Sequence, residues 1–260
     1  MKNLLAGVLL AFQFFTALPV KRTIGMSKKR IYYMIQSLPF AGLAIGIVSV
    51  LLLLFLKGYT PLSPAACAFI LWILPILLTG GLHLDGWIDT SDAYFSYRDK
   101  DKRLEIMKDP RTGAFGVLSV IVLLSARFLF IYETTSAFNF EVLLSILIIP
   151  VLSRVLISRL LAKMVPARNE GLAYYFYQNL EGSNQKWLIA IWILFFLILS
   201  FFIHSFLYFL AGTALYYFLV KRFIYKEFGG MTGDTLGGSL EGGETVLWLI
   251  LWLLHYSAMA

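Results

Sequence analysis

The sequence predicts an all-α protein, a polytopic integral membrane helical bundle with six to seven transmembrane helices and interfacial or re-entrant helices at its N-terminus. Two observations support this prediction. Of the 260 residues, 59% are hydrophobic and only 14% are charged, whereas soluble domains carry about 45–50% and about 25%. The apolar residues form continuous runs, and only helices or closed barrels satisfy their backbone hydrogen bonds in lipid. Continuous runs favour helices.

The N-terminal apolar stretch, residues 4–18, is too short to cross a bilayer. Gln13 and Thr16 interrupt it, and Lys21 and Arg22 follow at once. A cleaved signal segment is the alternative, but the stretch lacks a small-x-small cleavage pattern. We therefore expect a retained re-entrant or interfacial helix.

Residues 28–38 carry apolar side chains at helical spacing, which predicts an amphipathic helix on the cytoplasmic surface. The remaining chain shows no repeat and no flexible linker, so we expect one membrane-embedded catalytic domain, residues 1–260. The last apolar run is short for a crossing. The predicted spans are 38–56, 64–80, 114–132, 142–162, 187–203, 205–220 and 246–258.

Basic residues predict the orientation of these spans. Connections 20–37, 81–113, 163–186 and 221–245 hold 5, 6, 3 and 3 Lys or Arg residues, and the opposite connections hold one, Lys57. The richer side is expected to be cytoplasmic. The net charge of +7 fits either a face against anionic lipid or an anionic substrate.

Three aspartates follow the second span at helical spacing. Asp85, Asp89 and Asp92 stand at i, i+4 and i+7, so a helix would place them on one face with neighbours about 5–6 Å apart. Their mutual repulsion would be relieved by a divalent cation, and oxygen ligands suit Mg²⁺. The alternative is a set of solvated acids at a helix end. His83 is a candidate ligand, base or phosphate donor, or an interfacial imidazole.

The same loop then becomes basic. Asp99 is a plausible N-cap for a helix over 100–108. Arg103, Lys108 and Arg111 are candidate pyrophosphate ligands, with lipid headgroups as the alternative partner. Lys108 and Arg111 flank the turn into the next span and are the stronger candidates, and Arg111 is preferred over Lys108 for its planar guanidinium.

A second acidic segment, residues 228–244, precedes the last apolar run. It is rich in glycine and contains Thr232, Asp234, Glu241 and Glu244. A glycine-rich turn before a helix is a general anion-binding device. The acids could join the first cluster in a two-metal site for phosphoryl transfer, or they could belong to a flexible solvated loop.

Arginines elsewhere complete the candidate set. Arg127 lies deep in the third span and should face the bundle interior, whereas Arg154 and Arg159 could extend to the cytoplasmic boundary. Arg168, in the third cytoplasmic loop, is a further candidate substrate ligand. The single Cys67 excludes a disulfide framework and a cysteine-based zinc site.

Two segments carry a resemblance to a known family. The segment GGLHLDGWIDTSD, Gly80 to Asp92, and the later GGMTGDTLG, Gly229 to Gly237, resemble the adenosylcobinamide-GDP ribazoletransferases, the bacterial cobalamin (cobalamin-5'-phosphate) synthases. RLEIMKDPRTG, Arg103 to Gly113, adds to the likeness, and Glu241 and Glu244 follow the second motif. The chain departs from the family pattern at Ala93 and Ala173, where we expect glycine.

This resemblance implies a Mg²⁺-dependent transferase that joins adenosylcobinamide-GDP to α-ribazole or α-ribazole 5'-phosphate and releases GMP. Asp85, Asp89 and Asp92 would be catalytic and would bind metal with Asp234, Glu241 and Glu244. His83, Arg103, Lys108, Arg111, Arg168 and Thr232 would bind substrate. The expected location is the bacterial inner membrane, in contact with the lipid bilayer and without a nucleic-acid partner.

Two other functions stay open on the sequence alone. One is a CDP-alcohol-type phosphotransferase, although the spacing of Asp85 and Asp89 departs from the D-x-x-D-G arrangement of those enzymes. The other is an organic-anion transporter, although no predicted span carries an acid near mid-bilayer. The oligomeric state also stays open, a homo-oligomer included.

Overall fold

A computed structural model describes residues 2–19, 21, 23–180, 186–203 and 205–259. The described chain is built from helices, as predicted, and its strand-like pairing is one isolated bridge between Pro166 and Met231. The helices are α1 Lys2–Phe15, α2 Lys28–Tyr59, α3 Pro64–Thr79, α4 Leu82–Phe95, α5 Lys100–Ile106, α6 Ala114–Ser136, α7 Phe140–Lys163, α8 Gly171–Leu180, α9 Lys186–Phe202, α10 Ser205–Phe228 and α11 Gly233–Met259.

Four of the described helices are long and apolar enough to cross a membrane: α2, α6, α7 and α10. The pair α3 and α4 adds a fifth crossing if it counts as one broken span. The sequence predicted six to seven. The difference lies in α9, which has 17 residues, and in α11, whose acidic first half leaves a short apolar second half. The all-α polytopic class is confirmed.

The predicted surface helix over 28–38 is not a separate element. It continues into the first span as α2, a helix of 32 residues that contains Pro39. Its apolar face is buried as the spacing predicted, with Ile31, Met34 and Leu38 all fully buried. The cover comes from protein, since a Cβ on Gly7 of α1 would lie 2.8 Å from the backbone nitrogen of Met34.

Helix α7 forms the centre of the bundle, and most of its residues are buried. It crosses α2 at two glycines that allow the backbones to touch. A Cβ on Gly42 would lie 2.3 Å from the carbonyl oxygen of Pro150, and a Cβ on Gly46 would lie 2.3 Å from that of Leu147. Small residues at such crossings permit the close packing that associates helices in lipid.

This crossing generates a stability prediction. Gly46→Ala should lower the unfolding temperature of the detergent-solubilised protein, because overpacking of a tight contact costs about 1–3 kcal/mol. Gly58→Ala is the matched control on the same helix, since no other atom lies within 4 Å of its added Cβ. The control should be neutral or stabilising, as alanine favours helix over glycine by about 1 kcal/mol. Equal unfolding temperatures for the two variants would contradict the α2–α7 crossing.

Candidate active site

The chain turns sharply at the end of α3. Gly80 and Gly81 adopt the left-handed region with φ of 66° and 73°, a conformation that favours glycine. The axis of α4 consequently deviates from that of α3 by 89°. Helix α4 therefore runs nearly perpendicular to α3 and does not continue that apolar helix in its own direction.

Helix α4 packs directly on the start of α11 through glycines. A Cβ on Gly86 would lie 2.7 Å from the carbonyl oxygen of Asp234, and one on Gly237 would lie 3.2 Å from that of His83. A side chain at Gly86 would therefore separate the two helices. The contact brings the first acidic segment against the second, as the sequence predicted.

The carboxylates of Asp85, Asp89 and Asp234 form one electrostatic cluster at this contact. Burial, followed by the charges of Asp85, Asp234 and Asp92, raises the pKa of Asp89 to about 7. Asp85 and Asp89 have no cationic partner within the described part of the chain. Like charges held together in this way favour either protonation or a bound cation.

The loop before α8 supplies a cation to this cluster. Arg168 lies 3.8 Å from a carboxylate oxygen of Asp234. It is held there by backbone pairing, because Ala167 donates to the carbonyl of Met231 at 2.9 Å and Met231 donates to that of Val165 at 2.9 Å. The predicted substrate ligand Arg168 therefore does reach the acidic cluster.

Thr232 fixes the first turn of α11. Its side-chain oxygen accepts a hydrogen bond from the backbone of Thr235 at 3.1 Å, and its backbone donates to the hydroxyl of Thr235 at 2.8 Å. The Thr232 hydroxyl also lies 3.5 Å from a carboxylate oxygen of Asp234. This reciprocal capping sets the direction in which the Asp234 carboxylate leaves the helix.

Asp92 has a different environment from Asp85 and Asp89. Its two carboxylate oxygens accept hydrogen bonds from the backbone amides of Gly113 and Gly116, each at 2.7 Å. The side chain thus caps the start of α6, a use that the helix dipole favours. Through these contacts Asp92 holds α4 against α6. Both of its carboxylate oxygens, which the predicted metal role also needs, are engaged in these hydrogen bonds.

Glu241 and Glu244 do point the same way, but they face arginines. Glu241 lies 2.7 Å from Arg127, and Glu244 forms an ion pair with Arg154. All four side chains are at least nine-tenths buried, and Arg127 faces the interior as predicted. Within the described structure these glutamates neutralise buried arginines, and their predicted metal role stays a prediction. Arg154 is also buried, and does not extend to the boundary.

The remaining predicted ligands divide into two groups. Arg103 is buried against Glu227 and the Tyr94 ring, whose centroid lies 5.5 Å away. His83 is buried, and burial followed by the Arg154 charge lowers its pKa to about 3. Arg103 is neutralised by its ion pair with Glu227, and His83 is a neutral buried side chain. Neither residue therefore presents a free positive charge to the carboxylate cluster.

Lys108 and Arg111, in contrast, are accessible. Arg111 is paired with Asp109 at 2.5 Å and its side chain is 87% exposed. Lys108 is paired with Glu170 across a polar cleft of about 390 Å³. The helix predicted over 100–108 is present as α5, which ends two residues earlier at Ile106, and Asp99 accepts from the backbone of Lys102 at 3.0 Å as the expected N-cap.

The opposite face of α4 borders an apolar cavity of about 800 Å³ between α6, α10 and α11. Trp87 and Tyr94 contribute to its lining, and Leu118 and Val122 are 59% and 68% exposed there. Phosphate-bearing groups need polar partners, so this cavity is unsuited to the chemistry that the carboxylates support. Helix α4 therefore separates a polar site from an apolar one.

Comparisons with known proteins agree with this geometry. Residues 7–252 match the family described as cobalamin-5-phosphate synthase. Relatives named adenosylcobinamide-GDP ribazoletransferase include proteins of Geobacillus sp. (strain WCH70), 39% identical, and Geobacillus thermodenitrificans (strain NG80-2), 41% identical, each match covering all of both chains. Another, from Clostridioides difficile (strain 630), is 33% identical over 95% of this chain and 97% of the relative. No solved structure matches the chain.

The chain belongs to the cobalamin-5-phosphate synthase family. Membership confirms the resemblance carried by the two glycine-rich acidic motifs. It does not favour the CDP-alcohol phosphotransferase or the transporter, which the residues alone had left open.

Sequence reasoning missed two features of this family member. One is the ion-pair network that joins Arg154 to Glu244. Its signal was the presence of arginines within otherwise apolar segments, where charged side chains pair with one another. The other is the polar cleft beside α5. Its signal was present in the spacing of Asp101, Glu105 and Lys108, at i, i+4 and i+7.

The raised pKa of Asp89 predicts a pH dependence of stability. In the unfolded chain Asp89 ionises near pH 4, whereas in the fold it ionises near pH 7. The folded state binds more protons between these values, so stability falls as the pH rises through this window. Asp89→Asn should remove this contribution, and its advantage in unfolding temperature over the wild type, both with a chelator, should grow from pH 5 to pH 8. A difference that does not vary with pH would contradict the assignment.

Proposed function

We propose that the protein is a membrane-embedded, Mg²⁺-dependent transferase that joins adenosylcobinamide-GDP to α-ribazole or α-ribazole 5'-phosphate. The products would be adenosylcobalamin, or its 5'-phosphate, and GMP. The observation that carries the proposal is the convergence of α4 and α11, which gathers Asp85, Asp89 and Asp234 with a deficit of positive charge beside Arg168. The family match and the names of the relatives supply the substrates.

The carboxylate cluster fits a hydrated divalent cation. Within the described residues, no group of three or more His, Cys, Asp or Glu side chains is arranged to hold a metal ion by itself. Mg²⁺ does not require such a cage, because it is usually bound by one or two carboxylates, waters and substrate phosphates. Asp85 and Asp234 would hold the ion. When bound, Mg²⁺ would neutralise the charge that develops on the diphosphate oxygens.

The protein's own groups would orient and deprotonate the nucleophile. A ribose hydroxyl oxygen attacks the phosphorus nearer the cobinamide, the bond from that phosphorus to the GMP oxygen breaks, and GMP leaves. The hydroxyl proton would pass to the carboxylate of Asp89, since a base with a pKa near the working pH is efficient. Arg168 would bind the diphosphate and stabilise its charge as the bond breaks.

Other residues of the two motifs would act by positioning. Asp92 holds the start of α6 against α4, and Thr232 orients Asp234. The pairs of Glu241 with Arg127 and of Glu244 with Arg154 tie α11 to α6 and α7. Accessible Lys108 and Arg111 are proposed phosphate ligands, which would exchange their carboxylate partners for the substrate diphosphate.

We further propose that the acidic site faces the cytoplasm from the bacterial inner membrane. The support is the distribution of basic residues between alternate connections. Arg168, Lys108 and Asp234 come from three of the basic connections, and they lie at one end of the bundle. This orientation would open the acidic site to substrates on the cytoplasmic side.

The proposal predicts GMP release that requires both organic substrates and Mg²⁺. Purified protein in detergent or vesicles should form GMP from adenosylcobinamide-GDP only when α-ribazole or its 5'-phosphate is present. Asp89→Asn should reduce kcat by about 100-fold or more, because it removes the acceptor of the hydroxyl proton.

The matched control is Glu133→Gln, whose carboxylate accepts from Tyr256 in another part of the molecule. This control should retain wild-type turnover. GMP release by wild-type protein without the ribazole substrate would contradict the proposed transfer. Full activity of Asp89→Asn would contradict the role of Asp89.

A further inference from the structure

The polar cleft beside α5 has two chemically different ends. One face of α5 and the loop before α8 form its walls. Its volume is about 390 Å³, enough to admit a nucleotide-sized group. The lining residues are Asp101, Leu104, Glu105, Lys108, Ala167, Arg168, Asn169 and Glu170.

The cationic end of this cleft adjoins the acidic cluster. Lys108 follows the C-terminal end of α5, and Met107 beside it lies 3.8 Å from the hydroxyl of Thr232. Arg168, on the opposite wall, is 3.8 Å from Asp234. A diphosphate bound between Lys108 and Arg168 would therefore lie next to the proposed reaction centre.

The other end of the cleft carries a carboxylate that is free to accept hydrogen bonds. Asp101 lies in the first turn of α5, about 10 Å from Lys108 by helical rise. Its carboxylate makes no hydrogen bond or ion pair with any residue that the structure describes, whereas the Glu105 carboxylate is paired with Lys102 at 2.6 Å. Leu104 lies between the two ends and offers an apolar surface to a flat ring.

We infer that this cleft binds the guanine nucleotide portion of the substrate, with Asp101 as the residue that recognises the base. The inference rests on the proposed function, which supplies a GDP-activated substrate. Guanine presents two adjacent donors, N1–H and the 2-amino group, and a carboxylate can accept from both at once. Adenine and cytosine lack this donor pair, and hypoxanthine lacks the 2-amino group.

The arrangement also accounts for the order of charges along the cleft. The base binds at the acidic end, and the two phosphates reach the cationic end, where the bond to be broken meets the carboxylate cluster. GMP, the leaving product, keeps the base, the ribose and one phosphate. It would therefore retain the contact to Asp101 and inhibit by occupying the same cleft.

Product inhibition tests this assignment. Turnover is measured as the formation of radiolabelled corrinoid product, because GMP is added as the inhibitor. Wild-type protein should be inhibited about tenfold more strongly by GMP than by IMP, which lacks the 2-amino group. A bidentate contact to a base discriminates against the wrong base by about tenfold or more. Asp101→Asn should weaken GMP inhibition by about tenfold, change IMP inhibition far less and bring the two inhibition constants together.

Glu105→Gln is the matched control, because it removes the same charge from the same helix face, where Lys102 already engages the carboxylate. It should preserve the preference for GMP over IMP. The inference would be overturned if both variants lost the preference for GMP over IMP equally, or if Asp101→Asn kept that preference. In either case, turnover by the wild-type protein would leave the proposed function standing. Absence of transfer by wild-type protein would instead refute the proposed function.

Discussion

The contact between α4 and α11 is the constraint on which the site depends. Gly86 allows the backbone at Asp234 to approach α4 more closely than a side chain would permit, and Gly237 does the same on α11. Two acidic segments separated by more than a hundred residues thus meet where three carboxylates face a single nearby arginine. A bound divalent cation would relieve the resulting excess of negative charge.

A second set of charges makes this contact rigid. Glu241 and Glu244 face Arg127 and Arg154 in the interior. The buried part of α11 therefore carries neutralised acids, whereas Asp234 at its start is incompletely neutralised. Breaking a buried pair by removing one partner is strongly destabilising. Glu241 and Glu244 therefore anchor α11 in the bundle, and in the proposed mechanism Asp234 at the start of the same helix would take part in the chemistry.

The sequence predicted the all-α membrane class and the convergence of the two acidic motifs, because hydrophobic runs, helical spacing and charge asymmetry are local or compositional signals. It could not distinguish Asp92 from Asp89, although both stand on one helix face. That difference depends on the amides of Gly113 and Gly116, which a distant turn brings to Asp92. The continuity of α2 was missed for a similar reason, since its polar start is covered by α1 and only tertiary contact shows it.

Binding of Mn²⁺ tests the central claim most directly, since its electron paramagnetic resonance signal reports the free ion in the presence of the protein. Asp85→Asn on α4 and Asp234→Asn on α11 should each weaken Mn²⁺ binding by about tenfold or more, measured with adenosylcobinamide-GDP present. Glu133→Gln, whose carboxylate accepts from Tyr256 away from the two helix ends, should bind as the wild type does. Wild-type affinity in either Asp85→Asn or Asp234→Asn would contradict a cation site shared by the two helices.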